Sequence, residues 1–247
     1  ALITGAAGLI GGYLVRSASR WVPDWEVRGL TRTEVDLTDR AQMQRCWERH
    51  RPDLVIHCAA LSRTGLCEQD PARARLINVE ATRSLADLAR DVPFVFLSTD
   101  QVFDGAKGHY VETDAVHPLN VYGQTKVEAD QAVLKNPAHA VVRIALTAGT
   151  SPTRDRSFVE DMLRAASKGM TLTLFTDEFR CPMPAGALVR ALWEFAVQRR
   201  PGVYHVGGHE RLSRWEIGEL LAARFPELRG SIRPGSVAAY QGPPRPP

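Results

Sequence analysis

The chain has 247 residues, with 31 Lys plus Arg against 28 Asp plus Glu and a formal net charge of +3 at pH 7. This balance argues against a basic nucleic-acid groove or a cationic membrane face, and no apolar run approaches the ~20 residues a membrane helix needs. The length suits one large α/β domain with a sizeable core. The four cysteines, Cys46, Cys58, Cys67 and Cys181, show neither paired nor zinc-type spacing. Buried thiols in a reducing, cytoplasmic setting are expected, and no motif licenses a metal.

In chain order, Ala1 to Ile3 is a short apolar run, and Thr4-Gly5-Ala6-Ala7-Gly8-Leu9-Ile10-Gly11 follows it and opens an apolar-periodic segment, Leu9 to Ser19. Strand, glycines, helix is the setting in which a glycine-rich loop holds a dinucleotide. Gly5 allows a tight turn, Gly8 leaves no side chain between backbone and pyrophosphate, and Gly11 lets the helix lie close on the sheet. The helix N-terminus offers free N–H groups to the phosphates. Gly5, Ala7, Gly8, Leu9, Ile10 and Gly11 are therefore the expected cofactor loop. With about 5–6 residues usual for a strand, Ala1 to Thr4 reads as clipped, and the Pro-rich Gln241–Pro247 tail cannot be helical, so the natural chain is expected to extend at both ends.

Glu26 to Thr31 reads as the second strand and Leu54 to Cys58 as a strand buried on both faces. Pro71 to Arg90 is expected to be helical, capped by Asp70 with Pro71 at the first helical position. Phe94 to Leu97 is the next buried strand, Asn120 to Leu134 a helix, and Val141 to Ala145 a further strand. This alternation predicts a doubly wound parallel sheet of the Rossmann type, with ligands beyond the carboxyl ends of its strands. After residue 147 the pattern loosens: helices over Phe158 to Ser167 and Ala185 to Gln198, and strands over Leu172 to Phe175 and Val203 to Val206. Ser213-Arg-Trp-Glu216 is a capping box for a helix over Ile217 to Phe225.

Tyr122 and Lys126 are four apart and share a helix face. An ammonium beside a phenol lowers the phenol's pKa from about 10 and prepares it to exchange a proton near neutral pH.

Together, Thr4-Gly-x-x-Gly-x-x-Gly11 and Tyr122-x-x-x-Lys126 resemble the extended short-chain dehydrogenase/reductase superfamily. Three segments are similar to the dTDP-4-dehydrorhamnose reductase family in particular: Leu97-Ser-Thr-Asp-Gln-Val-Phe-Asp-Gly105, Glu112-Thr-Asp114, and Pro118-Leu-Asn-Val-Tyr-Gly-Gln-Thr-Lys126. Arg51 to Ala60 and Asn78-Val79 also fit. The resemblance implies one extended domain over 1–247, with 1–146 and 184–206 as the dinucleotide core and 147–183 and 207–247 as a small substrate lobe. It implies an oxidoreductase that reduces a 4-keto nucleotide sugar, with Tyr122 as general acid, Lys126 holding the cofactor ribose, and Thr99 fixing the carbonyl oxygen. Asp36-Leu37 resembles the adenine-side contact and Cys58-Ala59-Ala60 the small-residue turn that passes the cofactor, with Ser98 at the next strand end. Gln101, Asn120, Arg143 and Arg180 fall on the expected substrate side, where Gln101 replaces the family's usual Tyr. Leu146-Thr147-Ala148 replaces its usual aromatics. Thr31-Arg32 ends the second strand where a carboxylate would favour NAD. A guanidinium there suits a 2′-phosphate, so NADPH is the expected cofactor and NADH the alternative. A homodimer is compatible with this reading. Two other functions share these motifs: a nucleotide-sugar epimerase or dehydratase, and an NADP-binding regulatory subunit resembling that of methionine adenosyltransferase.

Overall fold

The computed structural model describes residues 1–247. β1 (Leu2–Thr4), α1 (Leu9–Trp21), β2 (Arg28–Leu30), α2 (Arg40–His50) and β3 (Val55–His57) open the chain. α3 (Thr64–Gln69) follows, and then one helical rod in three parts: α4 (Pro71–Arg75), a π turn (Leu76–Glu80) and α5 (Ala81–Leu88). β4 (Phe94–Thr99), α6 (Val121–Val133) and β5 (Ala140–Ile144) complete the first half. The second half has β6 (Thr147–Ala148), α7 (Phe158–Ser167), β7 (Leu172–Phe175), β8 (Phe179–Arg180), β9 (Met183–Pro184) and α8 (Ala185–Gln198). It closes with β10 (Gly202–Val206), β11 (Leu212–Ser213), α9 (Arg214–Arg224) and β12 (Ile232–Gly235).

Six strands form one parallel sheet in the order β10-β5-β4-β3-β1-β2. Its apolar strands alternate between two cores, as the two-residue period of a strand requires. Ile3, Ile56, Val95, Leu97 and Val142 pack under α1 and α8. Leu2, Val55, Phe94, Phe96 and Val141 pack under α2, α5 and α6. The order in which strands are added reverses at β1, with β2 on one side and β3 on the other, which opens a crevice at the carboxyl ends of β1 and β3. A separate small core of Met162, Leu174, Ala222 and Leu228 joins α7, α9 and the β7–β12 pair. No helix is long and apolar enough to cross a membrane.

The expected helix over Pro71 to Arg90 is interrupted by the π turn. Its extra residue turns Asn78 inward, where Oδ1 accepts from the Leu61 amide at 2.8 Å and Nδ2 donates to Thr125 Oγ1 at 3.0 Å. A π turn is a local widening that hydrophobic periodicity cannot reveal. β4 also runs two residues beyond the expected Leu97, because Ser98 and Thr99 keep pairing with Arg143 and Ile144.

Candidate functional site

The glycine turn lies at the β1 carboxyl end, facing the end of β3. Gly5 has φ +71°, and a Cβ there would stand 2.9 Å from the Ala59 amide nitrogen, so only glycine fits both the turn and the gap. The Gly8 amide closes the turn on Gly5 O at 2.8 Å. Gly8 caps α1 without a side-chain hydrogen bond, so the amides of the first helical turn, Leu9, Ile10 and Gly11, point outward uncapped. Unsatisfied N–H groups at a helix N-terminus suit a diphosphate.

Behind this turn the hydrogen-bond directions can be assigned in order. Thr82 Oγ1 donates to Asn78 O at 2.7 Å, so it must accept from His57 Nε2 at 2.9 Å. His57 Nδ1 is then the acceptor for Thr4 Oγ1 at 2.6 Å. Thr4 Oγ1 in turn accepts from the Cys58 and Ala59 amides, each at 3.2 Å. Burial pushes the His57 imidazole down to about 3, so this chain holds a neutral ring and one tautomer. The Cys58 and Ala59 amides are thereby tied to Thr4, and burial pushes the Cys58 thiol up to about 12. The half-buried Ala59 and Ala60 follow at the β3 carboxyl end.

At the β2 end, Glu34 lies against Thr31, accepting from its amide at 2.9 Å and its hydroxyl at 2.8 Å, and Arg28 pairs with it at 2.6 Å. A carboxylate thus stands at this strand end after all, engaged by the loop itself. Arg32 is exposed beside Asp36, whose Oδ1 accepts from the Thr38 amide and hydroxyl. Leu37 packs on the α2–α5 core.

The Tyr122 phenol faces the Thr99 hydroxyl at the β4 carboxyl end. Its position depends on Gly123: a Cβ there would meet Pro118 Cβ at 2.9 Å and the Gln101 carbonyl oxygen more closely still, so α6 can seat on the Asp100–Val102 turn only with glycine. Asn120 caps α6, accepting from the Gly123 amide at 2.9 Å. Lys126 is 2 % exposed; its ammonium donates to Leu97 O at 2.6 Å and lies 3.7 Å from the Phe96 ring centre.

The expected electrostatic tuning of the phenol is not what this arrangement produces. Burial pushes Tyr122 upward, partly offset by the neighbouring Thr99 hydroxyl, while the nearby Asp100 also raises it. Burial pushes Lys126 down to about 7. Desolvation outweighs the i,i+4 pairing because the ammonium is turned toward the Leu97 carbonyl. Two further expectations need correction. Arg143 is buried, with Nε donating to Asp130 Oδ2 at 3.1 Å, so it is an internal ion pair and not a crevice cation. The Ser98 hydroxyl is likewise buried, next to Asp130, and has no hydrogen-bond partner.

Gln101, Asn120 and Arg180 line one cavity of about 150 Å³ together with Glu178, Arg214 and the C-terminal residues. Asn120 Nδ2 donates to Pro244 O at 3.1 Å and Arg180 Nη1 to Pro246 O at 3.3 Å. Glu178, 1 % exposed, pairs with Arg180 at 3.0 Å and Arg245 at 2.7 Å. Asp100 lies between this cluster and Thr99, its carboxyl pushed up by burial against the field of Arg180. Asp100 lies inside the Leu97–Gly105 segment read from the sequence, whereas Arg214 and Arg245 reach the cavity only through tertiary folding.

The parallel sheet, the glycine turn at its switch point and the tyrosine–lysine pair on α6 define an extended short-chain dehydrogenase/reductase. The family model described as the RmlD substrate binding domain matches residues 1–247, and the chain belongs to that family. It is 31% identical over 262 residues to methionine adenosyltransferase 2 subunit beta of Xenopus laevis, covering 100% of this chain and 78% of that protein. It is 31% identical over 238 residues to dTDP-4-keto-6-deoxy-D-glucose reductase of Streptomyces niveus, covering 94% and 81%. The crystal structure of a dTDP-4-dehydrorhamnose reductase from Clostridium acetobutylicum matches with a TM-score of 0.88 at 26% identity, covering 99% and 87%.

Proposed function

We propose that this protein is an NADPH-dependent reductase of a 4-keto nucleotide sugar, with NADH as the alternative cofactor. The observation that carries this reading is the facing pair of hydroxyls, Thr99 and Tyr122, at the strand end beside an uncapped, glycine-lined helix N-terminus. The turn residues Gly5, Ala7, Gly8, Leu9, Ile10 and Gly11 would hold the cofactor diphosphate by backbone amides. Thr31 and Arg32 would face the adenosine ribose and its 2′-phosphate, Asp36 and Leu37 the adenine, and Ala59 and Ala60 the passing chain. Lys126 has two N–H groups left after its bond to Leu97 O, and these would hold the nicotinamide ribose.

When bound, the reduced nicotinamide supplies a hydride to the carbonyl carbon of the sugar. Negative charge then builds on the carbonyl oxygen. The Thr99 hydroxyl, which donates to Asp100 Oδ1 at 3.2 Å, would turn to donate to that oxygen, and Tyr122 would deliver the proton that makes it an alcohol. The raised Tyr122 pKa keeps the phenol protonated, as a general acid must be before it acts. Gln101, Asn120 and Arg180, in one cavity next to this pair, would hold the nucleotide sugar.

The test is NADPH oxidation with dTDP-4-keto-6-deoxy sugars by wild type and Tyr122→Phe. Removing the general acid is expected to lower kcat by about 10²–10⁴-fold with cofactor affinity retained. Equal turnover by the two proteins would remove the mechanism. A second reading, an NADP-binding partner subunit without turnover, is favoured by the 31% identity to the methionine adenosyltransferase subunit across the whole of this chain and by the engagement of Asn120 and Arg180 with the C-terminal carbonyls. Cofactor binding with no oxidation by any keto sugar would select it.

A further inference from the structure

Asp130 follows Lys126 by one helical turn on α6, so the two share a face, and each is 2 % exposed. Asp130 Oδ2 takes the Arg143 Nε–H, while Oδ1 has no hydrogen-bond partner. Half of the carboxylate is therefore not used by the ion pair. The groups around the Lys126 ammonium come from every neighbouring element: His57 from β3 and Cys58 just past it, the Phe96 ring and Leu97 O from β4, and Asp130 from α6 itself. His57 is neutral and Cys58 holds its proton, so Asp130 is the one carboxyl among them; burial pushes it up, opposed by the neighbouring Ser98 hydroxyl and by the charges of Arg143 and Lys126. Arg143 is fixed in turn by its place on β5, beside Ser98 on β4 and His205 on β10, and by the Phe103 ring 5.5 Å below its guanidinium.

We infer that the buried Asp130–Arg143 pair is a positioning device for Lys126: Arg143 favours the ionised form of the Asp130 carboxyl, and Asp130 in turn favours the charged form of the Lys126 amine beneath the proton donor. An isolated ammonium this deeply buried would discharge, because water no longer stabilises it. A lone buried carboxylate would take up a proton for the same reason, and the guanidinium opposes that because it cannot itself lose a proton. The catalytic part of the inference rests on the reductase reading. The charge coupling does not.

The chain contains four lysines, Lys107, Lys126, Lys135 and Lys168, so a protein carrying ¹³C-labelled lysine gives few side-chain signals, and Lys126→Met assigns the buried one. In Asp130→Asn the Lys126 signal is expected to titrate at a pH lower by about one unit or more than in wild type, and Asp130→Glu to restore it. A pair that only clamps α6 to β5 would lower stability and leave that titration in place; an unmoved Lys126 signal in folded Asp130→Asn therefore overturns the inference. If Asp130→Asn does not fold, the wild-type Asp130 carboxyl carbon decides: an ionised signal at neutral pH that rises in titration pH on Arg143→Met supports the coupling, and a protonated one refutes it. In turnover assays the alkaline limb of the pH profile moves to lower pH in Asp130→Asn. Absence of turnover in wild type would remove the reductase reading and leave the titration result standing.

Discussion

Gly11→Ala tests the cofactor turn at its tightest point. The added Cβ would stand 2.7 Å from the Gly5 carbonyl carbon, nearer still to its oxygen, and 3.0 Å from the Ala6 nitrogen, where ordinary contact begins at 3.4 Å. These obstacles are backbone atoms, and the turn cannot yield easily. Gly5 is held at φ +71°, Gly8 N bonds Gly5 O, and Ala6 N bonds Leu30 O at 3.0 Å. Helix α1 must therefore recede by about 1 Å to restore contact distance. Leu14 and Ala18 of that helix share a core with Leu188, Leu192 and Trp193 of α8, so the recoil disturbs packing. Such overpacking costs about 1–3 kcal/mol, which in a chain of this size lowers Tm by about 2–12 °C. Moving the Leu9, Ile10 and Gly11 amides by a similar distance is expected to weaken NADPH binding by about 10–100-fold, as sub-ångström to 1 Å misplacements do. Thermal unfolding and fluorescence titration with NADPH measure the two effects. Gly186→Ala is the control: nothing lies within 4 Å of its Cβ, and alanine favours the α8 helix by up to about 1 kcal/mol. Wild-type Tm and NADPH affinity in Gly11→Ala, with Gly186→Ala behaving as expected, would refute the steric argument.

Arg32→Ala is expected to weaken NADPH by about tenfold and leave NADH nearly unchanged, the worth of one charge-assisted contact to a phosphate; paired titrations with both cofactors check it. Lys126 titrates at about 7 in the folded chain and at 10.5 when free, so between these values the unfolded chain binds the extra proton. Wild-type stability should therefore rise with pH across that window, and the slope should vanish in Lys126→Met when denaturation is followed at stepped pH. His57 is held near 3 against an ordinary 6.5. The unfolded chain again takes the proton first, so stability should fall as pH drops from 6.5 toward 3, with a shallower fall in His57→Asn.

Elements with strong periodicity or paired end signals were legible in the chain. The α8 limits coincide with the expected Ala185 to Gln198, and the Ser213–Glu216 capping box is formed. α2 carries few apolar residues: only Met43 and Cys46 are buried, a stripe too thin to announce a helix. At the site, sequence spacing correctly brings Tyr122 and Lys126 onto one helix, but spacing does not say where an ammonium points. Lys126 turns to a strand carbonyl, and desolvation, a property of the assembled core, sets both pKa values. Arg143 illustrates the same limit. A strand-end arginine reads as a ligand for phosphate until the packing of α6 brings Asp130 against it. The Glu34 carboxylate, four residues past the β2 end, folds back on Thr31, a local turn that β2's pattern does not encode.

The most direct measurement is isotope transfer from NADPH carrying deuterium at the nicotinamide C4 to a dTDP-4-keto-6-deoxy sugar, read by mass spectrometry of the product alcohol. One deuterium on the former carbonyl carbon is expected with wild type, and almost none in the same time with Tyr122→Phe. Deuterium transfer at equal rates by both proteins, or tight NADPH binding with no labelled product from wild type, would contradict the assignment of Tyr122 as the proton donor of a reductase.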